Sequence, residues 1–183
     1  MSLRGSTHIH VVLVAAFLTA CADGKEPAAP NRQNPSTTKP SFTLGSGSQS
    51  TLLGRATFRD PKDQNLKIMR ITGDWHVDIK SKPAMDIAVQ SIVFQPGAQS
   101  GWHRHPGPVF IQVVSGEIAF YESDDPTCTP IIRKKGEGYL DRGDHAHLAR
   151  NETSTPAQNI VTYFAPPGAD LRIDSPRPGN CPF

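Results

Sequence analysis

Apolar residues in this chain recur in short bursts rather than at the spacing of a helix. Residues 77–80, 86–94, 109–114, 117–121 and 159–164 are rich in β-branched and aromatic side chains, the composition of strands. Turn residues stand between them at Gln95-Pro-Gly, Ser115-Gly-Glu, Asp124-Asp-Pro and Lys135-Gly-Glu-Gly. Past residue 20 no long stretch keeps a helical apolar period. Many short strands predict an all-β sandwich or barrel, and unpaired strand edges favour a closed or double-sheet form.

The N-terminus reads differently. One fixed positive charge at Arg4 precedes an apolar run at residues 9–20 that only His10 and Thr19 interrupt. That run is too short for an ordinary membrane span of ~20 residues and reads as an export signal. Leu18-Thr-Ala-Cys21 is similar to the bacterial lipoprotein signal, in which the cysteine is lipidated and becomes the new N-terminus. Ala20-Cys-Ala22 is the competing reading, an ordinary cleavage site that would release a soluble protein. From Ala22 to about Ser50 the chain is rich in Pro, Ser, Thr, Gly, Asn and Gln. Such a stretch cannot bury enough apolar surface to offset its ordering entropy, so it reads as a tether. The expected organisation is a signal at 1–20, a tether at 21–50 and one β-domain at 51–183. The expected location is the cell envelope or periplasm, lipid-anchored through Cys21, with secreted soluble protein as the alternative.

Cysteine use agrees with export. With Cys21 lipidated, Cys128 and Cys181 remain as an even pair in an oxidising compartment. A disulfide between them would hold the C-terminal tail against the loop after Tyr121. The formal net charge of +2 falls once Arg4 is removed, and Arg133-Lys134-Lys135 is a short basic run of the kind found at a strand end. Nothing marks a nucleic-acid binder. No Gly-x-Ser-x-Gly elbow is present, which leaves nucleophilic catalysis without a motif.

Histidine is where the chemistry concentrates. Four of the seven histidines fall in two His-x-His pairs, His103/His105 and His145/His147. Alternate residues of a strand share a face, so each pair can aim two imidazoles into one cavity. Imidazole is a common ligand of zinc, copper, iron and nickel, and two converging pairs point to a transition-metal site.

The surrounding residues sharpen this. Gly101-Trp-His103-Arg-His105-Pro-Gly-Pro-Val109-Phe-Ile-Gln-Val-Val-Ser-Gly116 resembles the first cupin motif. Gly136-Glu-Gly-Tyr-Leu-Asp-Arg142-Gly-Asp144-His-Ala-His147-Leu-Ala-Arg-Asn151 resembles the second. The resemblance implies a small double-stranded β-helix, a jelly-roll barrel, with a metal near one mouth. It makes His103, His105 and His147 the metal ligands, and it implies iron, manganese, nickel or zinc without choosing among them. Proteins of this family are often dimers.

Three departures from the motifs matter. Val109 stands where the family usually has a glutamate ligand, and valine offers no lone pair. Arg142 and Asp144 replace the customary proline and glycine. His145, two residues before His147, either shares the inward face and makes a fourth ligand or is turned outward by a bend at Gly143-Asp144.

Smaller expectations follow. Gln112 points opposite to Val109 on a regular strand. Trp102, Phe120, Tyr121 and Tyr163 are expected mainly as packing, His76 as a surface or edge histidine, and Asn151 as a residue that fixes loop geometry. Asn151-Glu-Thr matches a glycosylation sequon, accidentally in a bacterial lipoprotein.

Two classes of function survive. In one, a 3-His metal site with open positions acts on a small oxygenated substrate, dioxygenase-like with iron, or as an isomerase or lyase with other metals. In the other, the barrel is a non-catalytic small-molecule or metal-binding module of the envelope. No acid/base carboxylate stands out inside the two motifs, which weighs against the first. Three metal-spaced imidazoles weigh against the second. Fold alone does not decide.

Overall fold

The computed structural model describes residues 45–59, 65–68, 77–80 and 84–183. The signal, Cys21, the tether up to residue 44 and His76 lie outside the described residues. Within them the chain is all β, in twelve strands: β1 Ser46–Phe58, β2 Asn65–Ile68, β3 Val77–Lys80, β4 Met85–Gln99, β5 His103–Arg104, β6 Val109–Ser115, β7 Glu117–Glu122, β8 Ile131–Lys134, β9 Gly138–Asp141, β10 His147–Arg150, β11 Ala157–Ala165 and β12 Ile173–Asp174. Strand β1 begins inside the stretch expected as tether. Its residues before Phe58 are exposed, so it carries no buried face for a sequence pattern to display.

Strands β2 and β3 pair with each other in a separate sheet. The other ten form one antiparallel sheet that folds into a nearly closed barrel, the jelly roll that the motifs imply. Strands β1-β4-β11-β6-β9 make one face, and β8-β7-β10-β5-β12 make the other. The faces join where Arg150 of β10 pairs with Gln99 at the end of β4.

Alternation explains the inner faces. In β6, Val109, Ile111 and Val113 are buried while Phe110, Gln112 and Val114 are exposed, which puts Gln112 opposite Val109 as expected. In β11, Ala157, Asn159, Val161, Tyr163 and Ala165 point inward. They meet Ala88, Phe94, Ile118, Phe120, Tyr139 and Ala149 in a core drawn from both faces. Phe120 stacks on Tyr139 with ring centroids 4.2 Å apart.

Strand β7 breaks the alternation, because Ile118, Ala119, Phe120 and Tyr121 are all buried. The reason is the C-terminal tail. Ala119 and Tyr121 join Trp102, Leu148 and Cys181 in a second apolar cluster outside the barrel core. The Cys128–Cys181 disulfide, Cα atoms 5.2 Å apart, fixes the tail there. Trp102 Nε1 donates to the Phe183 carbonyl at 3.1 Å, and the Phe183 ring packs edge-on against Tyr121 and under the Arg150 guanidinium.

One expected turn lies within a strand. Gln95-Pro-Gly97 falls inside β4 as a bulge, where the pairing with β1 slips between Phe94 and Gln99. Gly97 adopts φ 76°, and its amide donates to the Asn151 carbonyl at 2.9 Å. Asn151 itself is completely buried. Its Nδ2 donates to the carbonyls of Phe94 at 3.0 Å and Thr155 at 2.7 Å, and its Oδ1 accepts from the Thr153 amide. Every polar atom of this amide is used, as burial requires. Asn151 therefore fixes the loop geometry next to the barrel mouth.

Candidate metal centre

Strand β5 is two residues long, yet it positions the first pair of histidines. His103 pairs in register with His147 of β10 on one side and with Asp174 of β12 on the other. Directly opposed residues of an antiparallel pair share a face, so His103 and His147 emerge side by side. Their rings lie 4.4 Å apart between centroids, with His105 at 4.8 Å from His103 and 5.1 Å from His147. The second motif presses close against the first at Gly143, φ 81°, where a Cβ would stand 2.6 Å from the Gly107 carbonyl oxygen. Only glycine fits that approach and that backbone angle.

All three imidazoles are buried, and one nitrogen from each lies within 4.8 Å of one from each of the others. His103 Nδ1 is 2.8 Å from the Gly101 carbonyl and His105 Nδ1 is 2.5 Å from the Leu171 carbonyl. A carbonyl only accepts, so each Nδ1 carries the hydrogen and each neutral ring turns its Nε2 lone pair elsewhere. Burial, aided by the charges of His147 and His105, holds His103 well below the usual imidazole range. Burial first and His147 second bring His105 down to about 4. Both rings are therefore neutral near pH 7, the state in which imidazole ligates a metal. A carbonyl that fixes the distal N–H is also the usual way a protein orients such a ligand.

A carboxylate that no local pattern singles out completes the surroundings. Asp141, the last residue of β9, is completely buried. Its Oδ1 accepts from the Gly143 amide at 2.9 Å. Its Oδ2 lies 3.3 Å from His147 Nδ1 and 3.8 Å from His105 Nε2. Neither Oδ2 nor His147 Nδ1 has a hydrogen-bond partner. Burial raises the Asp141 carboxyl, but His147, the Gly143 amide and His105 outweigh it and hold the group below its ordinary value. The expectation of no acid/base carboxylate within the motifs is thus corrected. Asp141 reaches the site through its register with β6, where it pairs with Val109, and that register is invisible in the local pattern.

His145 does not join the three. Strand β10 starts only at His147, and residues 143–145 form a bend, so the two-residue alternation that would aim His145 inward does not reach it. Its Nδ1 lies 2.7 Å from Asp144 Oδ1, and its Nε2 lies 3.7 Å from Glu122 and 3.6 Å from Asp124. Burial would lower its pKa, but the Asp144 hydrogen bond and the Asp124 and Glu122 charges prevail and raise it. His145 is thus held among carboxylates that favour its charged form, neither a fourth ligand of the triad nor a bare rim histidine.

Beside the triad opens a cavity of about 190 Å³ whose walls include His103, His105, Gln90, Tyr163, Leu171 and Arg172. Tyr163 packs edge-on to His105 with centroids 5.2 Å apart and donates to Gln90 Oε1 at 2.9 Å. Arg172 is half-exposed and paired with Asp174 at 2.6 Å. Of the four aromatic residues considered from sequence, Tyr163 lines this cavity, while Trp102, Phe120 and Tyr121 serve packing. A larger recess of about 330 Å³ lies on the outer surface around Gln112, Val114 and Glu137, away from the histidines.

The donor set fits a divalent transition metal: three buried imidazoles, a carboxylate oxygen beside them, and a buried oxygen and nitrogen without hydrogen-bond partners. Comparison with known proteins agrees on the class. Residues 90–163, a span that includes all three histidines, match the family described as the Cupin domain. A double-stranded β-helix protein of Klebsiella pneumoniae is similar at 21% identity over 50% of this chain and 76% of its own, with a TM-score of 0.43. The cupin domain of an XRE family transcriptional regulator of Enterobacter cloacae is similar at 18% identity over 66% of this chain and 98% of its own, with a TM-score of 0.41. The oxalate decarboxylase of Bacillus subtilis, which has Mn(II) centres, is similar at 17% identity over 48% of this chain and 23% of its own, with a TM-score of 0.43. No match was found among the curated proteins.

Proposed function

We propose that this protein is an exported cupin that holds a divalent transition metal on His103, His105 and His147 and acts on a small oxygenated molecule beside it. The observation that carries the reading is the convergence of three buried imidazoles with ligating nitrogens within 4.8 Å of one another, next to a cavity that two of them line. Bound there, the metal would supply Lewis-acid or redox chemistry.

The chain's own residues supply the rest. The carbonyls of Gly101 and Leu171 keep the His103 and His105 rings oriented. Asp141 offers a buried carboxylate for holding or moving a proton. Gln90, Tyr163 and Arg172 bring polar and cationic groups to the cavity, which suits a small ligand with carboxylate or hydroxyl oxygens. With iron the chemistry would be dioxygenase-like, and with manganese, nickel or zinc it would be that of an isomerase or lyase. The alternative, a non-catalytic binding module, loses ground because a buried carboxylate does lie at the site.

Export, with lipidation at Cys21, belongs to the same reading. A disulfide between Cys128 and Cys181 supports it, since such bonds persist in oxidising compartments.

Elemental analysis of protein purified without added metal tests the proposal, with His103→Ala and His147→Ala in parallel. About one metal per chain, lost in both variants, is the expected result. A parent protein free of stoichiometric metal removes the reading.

A further inference from the structure

We propose that Glu122, Asp124 and His145 form a second divalent-cation site, at the rim and separate from the histidine triad. It shares no residue with the triad, so it stands or falls independently of the function proposed above.

The donors converge from two segments that the backbone already ties together. One ligand atom from each of the three side chains lies within 4.8 Å of one from each of the others. Glu122 ends β7 and Asp124 follows in the turn, while His145 comes from the bend before β10. Ser123, between the two acids, donates from its amide to the Ala146 carbonyl at 2.8 Å, and the Ala146 amide donates back to Ser123 Oγ at 3.1 Å. Asn180, next to the disulfide at Cys181, donates from Nδ2 to the carbonyls of Glu122 at 3.1 Å and Asp125 at 2.5 Å. The hydroxyl of Tyr139, whose ring is buried in the core, donates to Glu122 Oε1 at 2.9 Å. With this frame in place, binding an ion costs little further ordering.

His145 Nε2 is the atom that points to a ligand. The side chain is only 13% exposed, and Nε2 itself is shut off from solvent with no hydrogen-bond partner among the described residues. Asp144 Oδ1 lies 2.7 Å from Nδ1. A carboxylate only accepts, so Nδ1 carries the hydrogen and the neutral ring has its lone pair at Nε2. That atom stands 3.6 Å from Asp124 Oδ1 and 3.7 Å from Glu122 Oε1. Protonating Nε2 brings no hydrogen bond, because both oxygens lie beyond its reach.

A divalent ion satisfies all three atoms at once. Donors about 2.1 Å from one ion lie roughly 3.0–3.5 Å apart, so the side chains need to close by only a few tenths of an ångström. Two carboxylates balance the ion's charge, and with one imidazole they suit manganese or zinc. Asp144 then orients the ligating ring from behind, as a carboxylate commonly does for a metal-bound histidine. Asp124 is 56% exposed, so the ion keeps water ligands and exchanges with solvent. Gel filtration therefore empties this site, while the buried triad stays filled. Because Glu122 pairs in register with His147, the second ion ties the turn after β7 to the bend that leads into the triad.

The test is titration of metal-free protein with Mn(II) at about pH 8, where the imidazoles are neutral, counting the free ion by electron paramagnetic resonance. The chains compared are the parent, Glu122→Gln, Asp124→Asn, His145→Ala, His103→Ala and, as a control for charge alone, Glu137→Gln on the outer surface. Glutamine at 122 keeps the acceptor for Tyr139, and Asp124 is exposed enough to change without disturbing packing. The parent should bind two ions per chain, one tighter than the other. Each of the three rim variants should keep the tighter ion and weaken the other roughly tenfold or more, while Glu137→Gln keeps both. A weaker ion held within about twofold of the parent in the rim variants overturns the proposal. So does one weakened equally by Glu137→Gln, an adventitious ion only, and so does a parent that binds no Mn(II). A single ion that survives in the rim variants and is lost in His103→Ala also overturns it and leaves the triad standing. A single ion with the reverse behaviour upholds the rim site and removes the triad reading instead.

Discussion

Val109 of β6 faces Asp141 of β9 directly across the ladder, and both side chains are completely buried. An apolar and an acidic residue thus share one patch of the barrel's inner wall. The acid survives burial because the Gly143 amide, His147 and His105 surround it. The same pairing explains how a chain with valine in place of the family's usual glutamate still brings a carboxylate to its histidines.

His103 and His105 should titrate apart from His145. In metal-free protein His103 lies well below the usual range and His105 at about 4, while His145 is raised above 6.5. For His103 and His105 the folded value is the lower one, so the unfolded chain takes up protons first. Their neutral burial stabilises the fold fully above about 6.5, and this is lost as pH falls from there toward 4. His145 has the opposite sign: its contribution is present below 6.5 and lost as pH rises through its folded value. Ring-proton NMR shifts followed from pH 8 to 5 should show His145 titrating while His103 and His105 remain flat. Three rings titrating together near 6.5 would contradict the site's electrostatics.

Reduction of the Cys128–Cys181 disulfide should loosen the tail that covers β7. The bond closes a separation of 53 residues, for which roughly 2–4 kcal/mol of stabilisation is expected. Cys181→Ser should therefore lower the melting midpoint by roughly 10 °C. Trp102 is completely buried beneath this tail, so the variant should also show a red-shifted tryptophan emission. An unchanged midpoint and spectrum would mean that the tail is held by its hydrogen bonds and the Phe183 contacts alone.

How much of this was legible in the sequence differs from residue to residue. His103 and His147 could be read, because their motifs fix their spacing and a strand face follows from it. Strands β6, β7 and β11 were legible for the same reason, since β-branched and aromatic residues fill them. His145 could not be placed, because alternation holds only within a strand and β10 begins two residues later. The opening of β1 was hidden, because its polar, exposed residues look like those of the tether before it. Asp141 was hidden most deeply. Between Tyr-Leu and Arg-Gly it reads as a turn carboxylate, and only the pairing of β9 with β6, through residues about thirty positions away, turns it toward the histidines.

X-ray absorption spectroscopy of the protein loaded with one equivalent of zinc tests the central claim most directly. The account predicts a nitrogen and oxygen coordination sphere with outer-shell scattering from three imidazole rings, and no stoichiometric zinc in His147→Ala. A protein that takes up no zinc, or a bound ion with at most one imidazole, would contradict it.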